Sequence, residues 1–217
     1  MATTTVSIGS NQSIDTETPA SSSGGGPLYV VTFGTTPSGI SVGDIGFMDT
    51  EDAGGGNASD YTFLVTVISG ANITLKYLTD TGGKGDNSPL GLYTGAGSSG
   101  SPTQAPVVFK RAFSTITLFE GMVDDASPTY WGTTDDVVGE CHGDSAFTDS
   151  RVYFDNKQSL ASVKLTVHED DRHDGKAGTA GKVVIRPTAG SGHNNAIIDV
   201  NIDNFIMEWI EIDLGSL

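Results

Sequence analysis

The strongest strand pattern in the chain reads YTFLVTVI at residues 61–68, then SGAN at 69–72 and ITLKYL at 73–78. The first run is rich in aromatic and β-branched residues, which favour strands. The last run alternates apolar and polar residues with the period of two that is typical of a half-buried strand. Gly70 and Asn72 lie between them and suit a tight turn. This stretch predicts a β-hairpin, and it leads us to expect a mainly β protein.

Composition supports the same fold class. Glycine contributes 29 of the 217 residues, and charged residues make up only 18% of the chain. Many glycines and few charges are typical of short strands joined by turns and argue against a helical bundle.

Four regions follow from the changes in composition along the chain. Residues 1–26 are small and polar and end in SSSGGG, so they predict an extended N-terminal arm. Residues 27–95 predict a small β-barrel or sandwich, and the Gly/Ser-rich residues 96–106 predict a linker. Residues 107–217 predict a second β-rich unit that serves in assembly.

One helix is expected, near residues 115–124. Ser114 is a suitable N-cap residue. Apolar residues recur at helical spacing after it, namely Ile116, Phe119, Met122 and Val123.

The last predicted strand, 205–214, is apolar on both faces. Such a strand must be covered on both sides. We therefore predict subunit contacts through Phe205, Met207, Trp209 and Ile210, with residues 2–23 exchanged between neighbouring subunits.

Charge and targeting signals limit the partners. The formal net charge is −16, which repels nucleic-acid phosphates and anionic membrane surfaces. Neither a signal-peptide pattern nor an apolar run long enough to span a bilayer is found, so we expect synthesis in the cytoplasm. The lone Cys141 excludes an intrachain disulfide and a cysteine-based zinc site.

The densest titratable cluster is HEDDRHD at 168–174. Imidazole and carboxylate groups bind divalent cations, which makes a set of candidate ligands of His168, Asp170, Asp171, His173 and Asp174. A solvated turn between two strands is the competing interpretation, and it is favoured because the spacing matches neither an EF-hand loop nor HExxH.

No catalytic or cofactor constellation is complete, so we expect neither enzymatic activity nor a cofactor. Cys141 and His142 are adjacent, and neighbours on a strand point to opposite faces, which does not give a nucleophilic dyad. The glycine-rich stretches lack P-loop spacing.

The overall layout resembles decoration, appendage and fibre-associated proteins of tailed bacteriophages. It rests on the polar arm from Ala2 to Gly26, the Gly/Ser linker through Gly95 to Pro102, and the closing stretch from Phe205 to Leu214. The resemblance implies a virion structural role, often trimeric. The absence of an internal repeat is a departure from long fibres and spikes, and it favours a compact decoration, adaptor or short-fibre protein.

Two alternatives remain. A carbohydrate-binding or depolymerising module would use Tyr130, Trp131 and the aspartate pairs 124–125 and 135–136 on a host surface glycan. A secreted adhesion or surface-layer subunit would bind Ca²⁺ at its acidic turns. The first expectation remains a virion-located homo-oligomer, a trimer by resemblance, that contacts other virion proteins.

Overall fold

A computed structural model of the protein describes residues 2–25, 28–48, 61–80, 106–124, 131–132, 134–149, 151–157, 159–174, 183–186 and 197–213. Strands dominate these residues, which confirms the mainly β prediction. The strands are β1 (Thr3–Ile8), β2 (Asp15–Glu17), β3 (Pro19–Gly25), β4 (Leu28–Phe33), β5 (Ile45–Met48), β6 (Tyr61–Ser69), β7 (Asn72–Asp80), β8 (Val107–Lys110), β9 (Asp136–Cys141), β10 (Val152–Phe154), β11 (Ser162–Val167), β12 (Val184–Ile185), β13 (Ile198–Val200), β14 (Phe205–Met207) and β15 (Glu211–Ile212). Helix α1 spans Ile116–Asp124, and a 3-10 turn spans Glu169–Asp171.

The chain divides into two compact units, and the division differs from the predicted one. The first unit combines Met1–Asn11 with Arg111–Leu217, and the second is Gln12–Lys110. The second unit is therefore inserted into the first. The predicted linker, 96–106, lies outside the described residues except for its last residue, Pro106, and the boundary falls after Lys110 instead.

The inserted unit is a barrel-like sheet that is nearly closed. Its seven strands follow the order β2-β8-β5-β6-β7-β4-β3, with antiparallel pairing throughout. The two edge strands, β2 and β3, are separated in sequence only by Thr18. The sheet must curl until these edges lie close together, because one residue cannot bridge a flat sheet of this width. Rings from near the two edges accordingly meet inside, with 5.6 Å between the centroids of Phe33 and Phe109.

The predicted hairpin is at the centre of this barrel. Strands β6 and β7 pair up to Ser69 and Asn72, and Gly70 occupies the turn at a φ of 58°. A left-handed backbone of this kind is readily adopted by glycine. The inward face of the barrel forms one buried core, made of Tyr29, Val31, Phe33, Met48, Phe63, Val65, Ile73, Leu75, Val107 and Phe109.

The prediction of an extended arm at residues 1–26 is wrong for the described part of that segment. Strand β1 pairs with β9 in the first unit, whereas β2 and β3 close the barrel of the second. Val6 and Ile8 of β1 are fully buried. The segment is ordered by pairing with distant parts of its own chain, so exchange between subunits is not needed to hold it.

The first unit is a short three-sided β-solenoid in which every strand pair is parallel. Each coil runs through the three sides of the solenoid in the same order. The first coil consists of β9, Phe147 and β10, and the second consists of β11, β12 and β13. The third begins with β14 and β15. Strands at each position stack on one another, giving β1-β9-β11-β14, Phe147-β12-β15 and β10-β13. No internal repeat is visible in the sequence, and the repeat lies in the path of the chain.

Helix α1 covers the first coil of the solenoid and confirms the predicted helix. It packs against β10 and buries Ile116, Phe119 and Val123. The Phe119 ring also comes within 2.8 Å of the position that a Cβ atom would occupy on Gly139 of β9, so this position requires glycine. The N-cap is Thr115 rather than Ser114, since the Leu118 N–H donates to Thr115 Oγ1 at 3.1 Å.

The predicted single strand at 205–214 is wrong, because the chain turns a corner within it. Strands β14 and β15 are separated by 208–210, where Trp209 has a φ of 64°. A tryptophan with positive φ is uncommon and ends the extended conformation. The two halves therefore lie on different sides of the solenoid. No helix in the described part of the chain is long and apolar enough to cross a bilayer.

Candidate functional site

The last strands of the solenoid expose residues that belong to its interior. In parallel strands, residues that are paired in register point the same way. The inward-facing side chains of the solenoid therefore form columns that run from one coil to the next. Leu165 and Ile185 are fully buried, yet their partners on the next coil, Met207 and Ile212, are 44% and 41% exposed.

Phe154 of β10 is fully buried, and its partner Val200 of β13 is 40% exposed. Each of the three columns thus ends in an apolar side chain that the described residues leave partly uncovered. We define the end surface as Val200, Met207, Trp209 and Ile212.

Trp209 completes the end surface at the corner between β14 and β15. It is 45% exposed, and its ring packs against residues that follow the 3-10 turn. The Arg172 guanidinium lies 5.4 Å from the ring centroid, and the His173 ring lies 5.9 Å away. A cation over the face of an indole stabilises this arrangement. The exposed ring is therefore held in one orientation although its backbone is strained.

The predicted contact residues are distributed unevenly. Met207 and Trp209 are on the end surface, whereas Phe205 is half-buried and packs its ring 4.8 Å from that of Phe154. Ile210 is half-buried as well. Ile206, which the prediction left out, is 50% exposed on the outer face of β14.

Ion pairs link the coils around this end. Lys164 pairs with Glu208, and this hydrogen bond holds the pKa of the Glu208 carboxyl below its usual value. Arg186 Nε and Asp213 Oδ2 are 3.0 Å apart. Arg151 and Asp199 are joined at 2.8 Å in the same way. Acidic groups at this end are thus neutralised locally, in a chain with a net charge of −16.

The structure separates the five predicted metal ligands. His168 and Asp171 come together, and they are joined by His142, which the prediction did not include. Asp170 and Asp174 are exposed. His173 packs against Trp209 instead.

His142 was missed because its partner in the cluster lies 26 positions away in sequence. Both His142 and His168 directly follow a solenoid strand, and the preceding residues, Cys141 and Val167, are register partners. The only signal in the sequence is the shared pattern of DVVGECH at 136–142 and SVKLTVH at 162–168, which agree only at the second and last residues.

The residues proposed for sugar binding do not form an open platform. Trp131 is 4% exposed and packs its ring 6.3 Å from that of Phe119. Asp135 accepts a hydrogen bond from the Gly132 N–H at 2.8 Å, and Asp136 accepts one from the Ser162 hydroxyl at 2.5 Å. These are turn and strand contacts. Tyr130 and Asp125 lie outside the described residues.

Asp124 belongs to a cluster of carboxyl groups at the end of α1. Burial, together with hydrogen bonds to Glu120 and Asp155, raises the pKa of Asp124 to about 7. Burial also raises the pKa of Glu120. A protonated Asp124 can donate to its neighbours, which is why three carboxyl groups can lie together.

No family model, curated protein or solved structure matches this chain. Two features of the structure bear on function, the end surface and the histidine cluster formed by His142, His168 and Asp171.

Proposed function

We propose that this protein is a structural component of a tailed-phage virion, a capsid decoration, adaptor or short-fibre protein, and that it assembles by covering its end surface with a second copy of the same chain. The observation that carries the proposal is that all three inward columns of the solenoid end in partly exposed apolar side chains. The proposed role is architectural, without catalysis or a cofactor.

The contrast between the two ends of the solenoid supports assembly. Helix α1 and strand β1 cover the first coil and bury its side chains, as capping elements do in repeat proteins. At the other end, β13, β14 and β15 are edge strands of the described sheets. Edge strands present backbone N–H and C=O groups that can pair with another chain. Apolar columns beside such edges give the surface the properties of a cut core.

Charge favours another copy of this chain over a basic partner. Three carboxylates near the end surface, those of Glu208, Asp213 and Asp199, are already paired with Lys164, Arg186 and Arg151. A copy with the same pairing meets less repulsion at this surface than the net charge of −16 alone would cause.

The location in a virion rests on the resemblance of the sequence layout to decoration, appendage and fibre-associated proteins of tailed phages. That resemblance implies three copies in a closed assembly, with other virion proteins as further partners. Closed symmetry would cover every end surface and prevent open-ended growth.

Two measurements test the proposal. Sedimentation velocity of the purified protein over a hundredfold concentration range should give a single species of defined stoichiometry, three by resemblance. Mass spectrometry of gradient-purified phage particles from lysates of the host should detect the polypeptide in a fixed ratio to the capsid protein. A monomer at every concentration would refute the assembly, and purified particles without the polypeptide would refute the virion role.

A further inference from the structure

The position of His142 and His168 follows from the solenoid. The His168 N–H donates to the Cys141 carbonyl at 2.9 Å, and the His142 N–H donates to the Ile8 carbonyl at 2.8 Å. The two histidines therefore occupy equivalent places on neighbouring coils. Their rings stack with 4.7 Å between centroids and 24° between planes, a separation that matches the spacing of adjacent strands.

Asp171 is brought to the same place by the 3-10 turn. Its N–H donates to the His168 carbonyl at 2.9 Å, and its Oδ2 atom accepts the Gly143 N–H at 2.9 Å. His142 Nδ1 is 3.8 Å from the same Oδ2 atom. One ligand atom from each of the three residues lies within 4.8 Å of the other two.

His142 is buried without full hydrogen bonding. Its side chain is 2% exposed, and its Nε2 atom has no hydrogen-bond partner among the described residues. Leaving a buried polar atom without a partner is unfavourable, and a bound ligand would relieve this. A neutral imidazole has the lone pair that a metal ion requires.

Arg111 is a cation beside His142 that would oppose a bound metal ion. Its charge is compensated, because Arg111 Nε and Nη2 donate to Asp144 Oδ2 and Oδ1 at 3.0 and 3.1 Å. Asp171 then supplies the negative charge that faces the cluster.

We propose that His142, His168 and Asp171 bind one divalent first-row transition-metal ion, with Zn²⁺ as the test ion. Two imidazoles and one carboxylate suit zinc and its neighbours, whereas Ca²⁺ and Mg²⁺ prefer sites made of oxygen ligands. Ligand atoms bound at about 2.1 Å in tetrahedral geometry lie roughly 3.4 Å apart. A pair of ligand atoms as far apart as 4.8 Å must therefore close by roughly 1.4 Å when the ion binds. His168 and Asp171 are only partly buried, so the adjustment falls on them rather than on His142.

A metal ion at this place would join two neighbouring coils and the 3-10 turn. The turn leads directly into Arg172 and His173, which support the Trp209 ring. The ion would therefore stabilise the solenoid, and it would do so whether or not the end surface binds another copy.

The experiment uses untagged full-length protein treated with a chelator and dialysed. Isothermal titration with ZnCl₂ should give one ion per chain. The variants His168→Gln and Asp171→Asn should each weaken binding at least tenfold, whereas His173→Gln, a histidine outside the cluster, should bind like the wild type. Zn²⁺ should raise the melting temperature of the wild type and of His173→Gln only.

A second measurement needs no variant. In protein with ¹⁵N-labelled histidine, Zn²⁺ should shift the ring resonances of two of the four histidines. Absence of stoichiometric binding by the wild type would overturn the proposal. So would undiminished binding by both ligand variants, or ring shifts in histidines other than His142 and His168.

Discussion

The substitution Met207→Glu tests how the protein assembles. Met207 ends an inward column of the solenoid and is 44% exposed, so covering it by another copy removes about half of its surface from water. Full burial of such a side chain is worth about 1.5–3 kcal/mol, which leaves roughly 1 kcal/mol to be gained per copy. A glutamate loses this gain and adds a desolvation cost of several kcal/mol. These two effects together exceed about 2.7 kcal/mol, so we expect the dissociation constant to rise at least about 100-fold.

The fold of the separated chain should survive this change, because nearly half of the Met207 side chain is already in water. The assay is sedimentation velocity at matched concentrations, with circular dichroism to check folding. Ile206→Glu is the matched control on the outer face of the same strand, and Leu118→Glu is a control on α1 with similar exposure, 54%. Both should assemble like the wild type. If Ile206→Glu dissociates the oligomer and Met207→Glu does not, the copies meet side by side and the end surface is not the contact.

Three further predictions concern the first unit. Gly139→Ala should lower the free energy of unfolding by about 1–3 kcal/mol, because the new methyl group would overlap the Phe119 ring. Gly121 has open space around its position, so Gly121→Ala should raise the free energy of unfolding by about 0.5–1 kcal/mol. Chemical denaturation measures both changes. The pKa of Asp124 is about 7 in the folded protein, against 3.8 for an unperturbed aspartate. Between these values the folded state binds a proton that the unfolded state does not. The stability that this proton provides should therefore be lost as the pH rises from about 4 to about 7. Asp124→Asn should reduce that slope in denaturation curves measured across the interval, and an unchanged slope would contradict the assignment. Cys141 is fully buried and burial raises the pKa of its thiol, so it should react with an aromatic disulfide reagent only after unfolding; rapid labelling of native protein would show the site to be open.

Local patterns in the sequence were enough to predict elements that local forces stabilise. The hairpin of β6 and β7 follows from alternation and a turn, and α1 follows from the spacing of its apolar residues. In both cases the residues that decide the structure are close together in sequence.

Elements held by distant pairing could not be predicted in this way. Strand β3 reads PASSSGG and has almost no apolar side chains, and its place depends on backbone pairing with β4. The solenoid likewise depends on the register of β9 with β11. In the seven positions from the start of each strand, only two residues are identical, which is a weak signal for that register. The histidine cluster shares this cause, since His142 meets His168 only after the coils are stacked.

The insertion of the barrel has a consequence for how such a protein can change. The chain leaves the solenoid after Asn11 and returns at Arg111, where the Arg111 N–H donates to the Asn11 carbonyl at 3.0 Å. Within the barrel, the entering and leaving strands β2 and β8 are paired neighbours. Because the points of departure and return are this close, the barrel can be replaced by a different inserted domain, or reduced to a tight loop, while the solenoid keeps its backbone path.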